Sequence, residues 1–343
     1  MRLFSIYNIE LLFWIVIVSI SIYACESGGE SSIQKNYEER NEQSKYKVRI
    51  GDIEIYNSFI AQIDANKSSS MDSSLIIDSV YHVHKLMWDS CYGQIFGEEN
   101  APKFQTDAGM IDWNYKLFNE LDNNIDSIVD IVYGYDIDSL FEFHLQRFED
   151  LGYQTPKAKI SIVFTPFPGI GFGGCSNDQF ILELNNPDFE IIYTLEKGLP
   201  HELFHFINEQ ELGKQNEFTA IDLAINEGLA CHFTREYFKG EITKYEAVED
   251  MSAEDWKYYV ENEKLIFAQV KDYFLDTTGD NPLLQPKKFN IFPDAPRSLH
   301  YWIGYRIVES YLNNNPNSSI KELSSIPYQV IFEKSKYSNR FSE

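Results

Sequence analysis

The chain has 343 residues and a formal net charge of −24. This charge excludes nucleic-acid binding and attachment to an anionic membrane through a basic patch, because both need an excess of cationic side chains. Hydrophobic residues make up 43% of the chain, which is enough to bury a core and excludes global disorder, and the length suits about two structural units.

The N-terminus has the pattern of a secretory signal. Residues 11–24 form an uncharged run of 14 residues, which is shorter than the ~20 residues of a membrane span and suits the apolar part of a signal peptide. Ala24-Cys25 resembles a bacterial lipobox, in which the signal is removed and the new N-terminal cysteine is acylated. Tyr23 and Glu10 depart from that pattern, so an uncleaved anchor is the alternative. We expect a signal peptide at residues 1–24 and a lipid anchor on Cys25, which places the protein on a bacterial membrane of the cell envelope, with the outer membrane favoured.

A polar tether follows the predicted anchor. Residues 25–46 are rich in Ser, Gly, Glu, Gln and Asn and cannot bury enough apolar surface to order themselves. If Cys25 is acylated, at most one disulfide can form among the remaining cysteines Cys91, Cys175 and Cys231.

The rest of the chain predicts a mostly helical α+β fold. Residues 47–153 carry apolar residues at helical spacings and form a predicted helical N-terminal region. The β-branched and aromatic segment 159–165 predicts a strand, and segment 179–184 predicts a second, edge strand. Residues 154–343 then form one domain. Further helices are predicted at 219–239, 253–273 and 300–313.

A glycine-rich loop lies between the two predicted strands. Gly169, Gly171 and Gly174 formally match the dinucleotide motif G-x-G-x-x-G. That motif needs a helix directly after the loop, whereas a strand is predicted here. We interpret the loop as a turn that leads into the edge strand, where an extended peptide could pair.

The segment His201-Glu202-Leu203-Phe204-His205 is an H-E-x-x-H motif. Residues four apart share one face of a helix, so His201 and His205 can bind one Zn²⁺ while Glu202 lies beside the metal-bound water as a general base. The alternative is an ordinary pair of surface or core histidines on a helix. The metzincin continuation is excluded, because Asn208 and Glu211 stand where it requires Gly and His.

A catalytic zinc site needs a third protein ligand, and Glu227 is the candidate. Thr219 and Asp222 fit a capping box at the start of a helix. In that helix, Glu227 lies on a face of small and apolar residues, where a carboxylate needs a cation. Gly228 and Ala230 would let this helix approach the H-E-x-x-H helix closely. The alternative to a metal ligand is that Glu227 is an ordinary glutamate exposed to solvent.

These residues resemble a known family. The H-E-L-F-H segment, followed after 21 residues by Glu227-Gly228-Leu229-Ala230, looks like the zinc-dependent proteases of the YjaZ-like family. The resemblance covers about residues 155–335 and implies a gluzincin-like zinc-metalloprotease domain with two His ligands and a distal Glu. The stretch 302–312 (WIGYRIVESYL) also resembles the gliding-motility lipoprotein GldB, a remote relative that is not an established protease.

Two residues depart from the gluzincin pattern. The position four residues after the third ligand is often acidic in such enzymes, and here it is Cys231, which can be a neutral filler, a disulfide partner or a competing soft ligand. Pro200 directly precedes His201, so the helix either starts there or is kinked.

The motif implies amide hydrolysis, which needs a donor for the oxyanion. The candidates are Tyr301, which we prefer, with Tyr305, His300 and His232 as alternatives; each can also be an ordinary contact. Outside the motif, we interpret His82, His84 and His144 as structural histidines.

Two functions compete. The first is a membrane-tethered zinc metallopeptidase that cleaves peptides or proteins and requires Zn as its cofactor. The second is a catalytically inactive envelope lipoprotein of the GldB type that binds partners. The negative net charge also predicts that cationic peptides reach the site more readily than anionic ones.

Overall fold

The structure is a computed structural model and describes most of the chain after the predicted tether. The described residues are 45–93, 96–120, 125–155, 157–166, 171–176, 178–186, 191–212, 218–290, 292 and 295–341. The predicted signal peptide, Cys25 and residues 26–44 of the tether lie outside them.

A five-stranded mixed sheet forms one layer of the fold. Its spatial order is β1-β2-β3-β5-β4, with parallel pairing of β2 with β3 and of β3 with β5 and antiparallel pairing at both edges. The strands are β1 (Lys47–Ile50), β2 (Ile53–Tyr56), β3 (Ala158–Val163), β4 (Phe172–Ser176) and β5 (Gln179–Glu183).

Helices make up most of the described chain and cover the sheet. Several begin with a side-chain cap, among them the capping box of Thr219 and Asp222 that the sequence predicts. The α-helices, numbered in chain order, are α1 (Ser58–Ala65), α2 (Ser73–Ile76), α3 (Gly97–Asn100), α4 (Pro102–Gln105), α5 (Asp107–Asn119), α6 (Ile125–Gly134), α7 (Ile137–Asp150), α8 (Ile191–Tyr193), α9 (Leu199–Leu212), α10 (Ala220–Tyr237), α11 (Ala253–Val270), α12 (Pro286–Phe289), α13 (Leu299–Asn314), α14 (Ile320–Leu323) and α15 (Tyr328–Ser335). Turns of π type lie at Ile77–Tyr81, Met87–Tyr92 and Thr194–Gly198, and 3₁₀ turns lie at His82–His84, Lys271–Tyr273 and Tyr337–Phe341.

The α+β prediction is confirmed, but three of the strands were missed. The hairpin of β1 and β2 turns at Gly51, whose φ of +57° suits glycine, and each of its strands has only four residues. The hairpin pairs with β3, so residues 47–153 and 154–343 share one sheet and one hydrophobic core.

The edge-strand prediction is wrong. The strand predicted at 179–184 is β5, which lies between β3 and β4, and the missed strand β4 forms the edge. Strand β4 contains two adjacent glycines, Gly173 and Gly174, which give it little intrinsic strand propensity. Because this strand directly follows Gly171, the helix that a dinucleotide motif requires is absent from this part of the described chain.

Helices α10 and α13 cross with their backbones in contact. A Cβ atom on Gly228 would lie 2.2 Å from the carbonyl carbon of Gly304, and a Cβ on Gly304 would lie 1.6 Å from the carbonyl oxygen of Ala224. The sequence predicted that Gly228 would bring α10 close to α9, and this is wrong, since the glycine faces α13. The crossing therefore depends on the absence of side chains at both positions.

We expect Gly228→Ala to lower the free energy of unfolding by about 2–3 kcal/mol, because the new methyl group collides with the backbone of α13 and not with a movable side chain. Chemical denaturation measures the loss. Gly134→Ala at the end of α6 is the control, since a Cβ there meets nothing within 4 Å and its effect should stay within about 0.5 kcal/mol. Equal stability of the two variants would contradict the crossing.

Candidate metal site and its cavity

The H-E-x-x-H motif lies near the start of helix α9. Pro200 is the second residue of α9, and α9 continues directly from the π turn Thr194–Gly198, so the helical backbone does not begin at Pro200 but widens directly before it. Proline cannot donate a backbone hydrogen bond and collides with the preceding turn of an α-helix, and a widened π turn accommodates both defects. His201 and His205 then follow on one face of α9.

Three side-chain atoms from α9 and α10 form a small triangle. The Nε2 atoms of His201 and His205 lie 3.1 Å apart, and each lies 3.1 Å from Oε2 of Glu227. Both histidines are buried, with 8% of their surface exposed, and Glu227 is partly buried. Among the described residues, these three form the cluster of metal-ligand type.

The cluster fits a zinc ion. Tetrahedral zinc with bonds of ~2.0–2.1 Å keeps its ligand atoms about 3.3 Å apart, close to the 3.1 Å edges of this triangle. If the imidazoles were instead to donate hydrogen bonds to Glu227, their two N–H groups would face each other at 3.1 Å. A cation removes that conflict, because all three atoms then offer electron pairs.

The charge state of Glu227 also suits a cation. Burial alone would raise the pKa of its carboxyl, but the charge of His205 and hydrogen bonds from His201 and His205 hold that pKa well below its usual value. Glu227 is therefore a carboxylate at neutral pH and presents a negative charge to its two imidazole neighbours.

Glu202 lies beside the cluster with a different charge balance. Burial is the main cause that raises the pKa of its carboxyl to about 7; the charges of His201 and His205 oppose this shift, and the Glu227 charge adds to it. A pKa near the working pH lets a carboxyl both accept and return a proton, which is the requirement for a general acid–base group. Glu202, next to His201 in the chain, and Glu227, in contact with both histidines from α10, therefore have different protonation states.

A cavity of about 620 Å³ opens next to the cluster. His201 and Glu202 line it, together with Tyr301 and His300 of helix α13 and Phe172 at the start of the edge strand β4. The Tyr301 ring lies over that of His201, with ring centroids 6.0 Å apart. Burial first, and the nearby glutamates second, raise the pKa of Tyr301 well above its usual value, so its hydroxyl stays protonated and can donate a hydrogen bond.

Tyr301 lines the cavity, whereas the alternative donors Tyr305 and His232 bond elsewhere. The Tyr305 hydroxyl accepts a hydrogen bond from Arg235, and its ring stacks on His232 at 3.9 Å. His232 donates through Nε2 to the backbone oxygen of Tyr305. Both side chains join α10 to α13, and within the described chain neither lines the cavity.

One wall of the cavity was missed by the sequence analysis. It contains Glu249, Asp250 and Ser298, three non-glycine residues with φ between 49° and 69°. Ser298 also donates a hydrogen bond to Glu249. Left-handed backbone at such residues is strained and often occurs at functional sites, but the residue types themselves carry no sequence signal for it.

The structure shows the state of two cysteines, Cys231 and Cys91. Cys231 is a buried free thiol, and burial together with nearby carboxylates raises its pKa well above the usual value. It is therefore a protonated, neutral filler one turn after Glu227 and not a disulfide partner. Cys91 takes part in a disulfide, while the side chain of Cys175 lies outside the described part of the structure.

The remaining histidines of the N-terminal region have structural surroundings. His84 is buried against the edge of the Tyr56 ring, and His144 Nδ1 lies 2.6 Å from the hydroxyl of Tyr237. His82 is exposed at the surface. None of the three belongs to the metal-type cluster found among the described residues.

The fold and site define a mostly helical α+β protein with a two-His, one-Glu cluster of metal-ligand type. The profile of the family described as "Gliding motility protein GldB" matches residues 177–339 of the chain, a segment that contains the cluster, Glu202 and Tyr301. No curated protein and no solved structure matches the chain. The chain is therefore similar to GldB over this segment, which agrees with a lipoprotein of the cell envelope, whereas the YjaZ-like resemblance stays a prediction.

Within residues 45–341, apart from the gaps given above, no helix combines the length and the apolar character that crossing a bilayer requires.

The raised pKa of Glu202 predicts a pH-dependent stability. In metal-free protein, the folded chain keeps this proton up to about pH 7, whereas the unfolded chain loses it near 4.5. Stability is therefore greatest below the unfolded pKa and falls as pH rises towards the folded pKa. Glu202→Gln stays neutral, so with chelator present we expect its melting temperature to match the wild type at pH 4.5 and to exceed it at pH 8. A difference that is constant with pH would show that the carboxyl is not perturbed.

Proposed function

We propose that the protein is a GldB-like lipoprotein of the cell envelope that binds one zinc ion through His201, His205 and Glu227 and hydrolyses peptide bonds. The observation that carries this proposal is the triangle of three ligand atoms, 3.1 Å apart, beside Glu202 at a cavity. A zinc ion bound there would supply Lewis acidity, polarising the substrate carbonyl and lowering the pKa of a coordinated water to ~7.

The chain's own residues supply the proton transfers and the charge stabilisation. Glu202, with its pKa of about 7, takes the proton of the attacking water and returns it to the leaving amine nitrogen. Tyr301 extends from the opposite helix with a protonated hydroxyl and donates a hydrogen bond to the carbonyl oxygen as negative charge develops on it. The buried surroundings strengthen both interactions.

The shape of the site suits a peptide. The cavity of about 620 Å³ is bounded by α9, by α13 and by Phe172 at the start of the edge strand β4. An edge strand offers unpaired backbone groups, to which an extended substrate can add as a further strand. A lipid anchor at Cys25 and the tether of residues 25–46 would let the domain reach proteins near the membrane surface.

The second candidate is a non-catalytic lipoprotein that uses the same fold to bind partners. The observation that favours it is the GldB match itself, because the matched segment includes the entire cluster and the family's printed name describes motility and no hydrolysis. The two candidates differ in the chemistry at Glu202, so a test there separates them.

We expect the wild-type protein, purified without chelator, to contain one zinc ion per chain and to cleave unstructured peptides. Glu227→Ala should lose the zinc, since it removes one of three ligands. Glu202→Gln should keep the zinc and lose activity by at least ~100-fold, the typical contribution of a general base. Elemental analysis and a quenched-fluorescence peptide library provide the two readouts.

The outcomes distinguish the candidates. Full zinc with no cleavage of any peptide would support the partner-binding lipoprotein and contradict the peptidase. Cleavage that persists in Glu202→Gln would contradict the role of Glu202. Sub-stoichiometric zinc in the wild type, or unchanged zinc in Glu227→Ala, would contradict the metal site.

We expect Tyr301→Phe to lower kcat by about 100-fold with zinc content unchanged, because the variant keeps the ring and removes the hydrogen bond to the developing charge. Tyr305→Phe is the matched control. It lies one turn further along α13, where its hydroxyl contacts Arg235, and should retain kcat within about twofold. Equal kcat values for the two variants would refute the assignment of Tyr301.

A further inference from the structure

Three buried or partly buried side chains form a closed triangle of hydrogen bonds behind the cluster. The amide nitrogen of Asn208 donates to Asn226 Oδ1 at 2.9 Å and to the Tyr328 hydroxyl at 2.9 Å. The Tyr328 hydroxyl in turn donates to Asn226 Oδ1 at 2.8 Å. The Tyr328 hydroxyl is thus both an acceptor and a donor, and the Asn226 carbonyl oxygen receives two hydrogen bonds.

The triangle joins three helices next to two of the proposed ligands. Asn208 lies on α9, three residues after His205, and Asn226 lies on α10, directly before Glu227. Tyr328 is the first residue of α15. Asn208 and Tyr328 are almost completely buried, so water does not compete for these hydrogen bonds.

A second contact fixes α15 on α10. Gln329 donates to Asp222 Oδ1 at 2.9 Å and to Thr219 Oγ1 at 3.3 Å. Asp222 and Asn226 are four residues apart and lie on one face of α10. Two adjacent residues of α15 therefore hold α10 at two successive turns, which fixes both its rotation and its position along its axis.

We propose that Tyr328 is a positioning residue for the zinc site, which acts through Asn208 and Asn226 to hold His205 and Glu227 at the separation that zinc requires. This inference rests on the proposed zinc site. A ligand triangle with 3.1 Å edges tolerates little relative movement of α9 and α10. Tyr328 forms hydrogen bonds with Asn208, one turn after His205, and with Asn226, directly before Glu227. Partners that orient metal ligands typically change metal affinity by 10–100-fold when they are removed.

Tyr328→Phe tests the inference, because it removes the hydroxyl and keeps the ring and the bond between Asn208 and Asn226. We expect the zinc dissociation constant of the detergent-solubilised full-length protein to rise at least ~10-fold, measured by competition with a chromophoric chelator. Tyr337→Phe is the matched control. Its hydroxyl is also buried and donates to Glu263 at 3.0 Å, but Tyr337 lies in the last 3₁₀ turn. Its hydroxyl therefore bonds to α11 and not to Asn208 or Asn226. Melting temperatures of both metal-free variants report any general loss of stability.

The results separate a positioning role from a structural one. A weaker zinc affinity in Tyr328→Phe, with the affinity of Tyr337→Phe unchanged and similar melting temperatures, supports the inference. Equal zinc affinities in the two variants overturn it while leaving the zinc site intact. A wild-type protein that binds no zinc overturns the proposed function, a different and recognisable outcome.

A second pair of variants keeps the test decisive if Tyr328→Phe does not fold. Asn226→Ala removes the acceptor of two hydrogen bonds at a partly buried position and should weaken zinc binding by a similar factor. Asn226→Asp retains an acceptor oxygen there and should recover most of the affinity. If both Asn226 variants bind zinc as the wild type does, the triangle has no positioning role and the inference fails.

Discussion

The close crossing of α10 and α13 is the constraint on which the site depends. Gly228 and Gly304 bring two backbones into contact, which no residue with a side chain would allow at either position. Glu227 immediately precedes Gly228 and faces the histidines of α9, while Tyr301 lies one turn before Gly304 and extends over His201. The proposed third ligand and the preferred oxyanion donor thus come from the two helices that meet at this glycine contact.

The two imidazoles of the cluster compete for one carboxylate oxygen. Two imidazole nitrogens and a carboxylate oxygen lie 3.1 Å from one another. Whichever imidazole nitrogens carry a hydrogen, two donors or two acceptors face each other at that distance. The chain maintains this arrangement with a π turn that accommodates Pro200, a capping box that starts α10, and the bonds from α15 that fix α9 against α10. Such supporting structure is what we expect around the proposed metal site.

The sequence predicted which residues of the cluster come together better than it predicted the structure that supports them. Helical periodicity placed His201 and His205 on one face, and an acid on an apolar face pointed to Glu227, because these signals are local. It misplaced the partner of Gly228, since periodicity indicates that a face is packed but not against which helix. It also missed the β1–β2 hairpin and strand β4, because the hairpin strands have only four residues each and β4 contains two adjacent glycines, which weakens the local strand signal. The triangle of Asn208, Asn226 and Tyr328 spans 120 residues and has no local signature.

The similarity to GldB over residues 177–339 and the geometry of the cluster are compatible with one lipoprotein of the cell envelope that binds a metal. Whether the site binds zinc is the claim on which the proposed chemistry and the positioning role of Tyr328 both depend. Anomalous X-ray diffraction at the zinc edge, from crystals of the protein grown without chelator, tests it most directly. We predict a single strong peak at about 2.0–2.1 Å from Nε2 of both His201 and His205 and from a carboxylate oxygen of Glu227. Ordered histidines with no anomalous peak between them, even after crystals are soaked in zinc, would contradict the account.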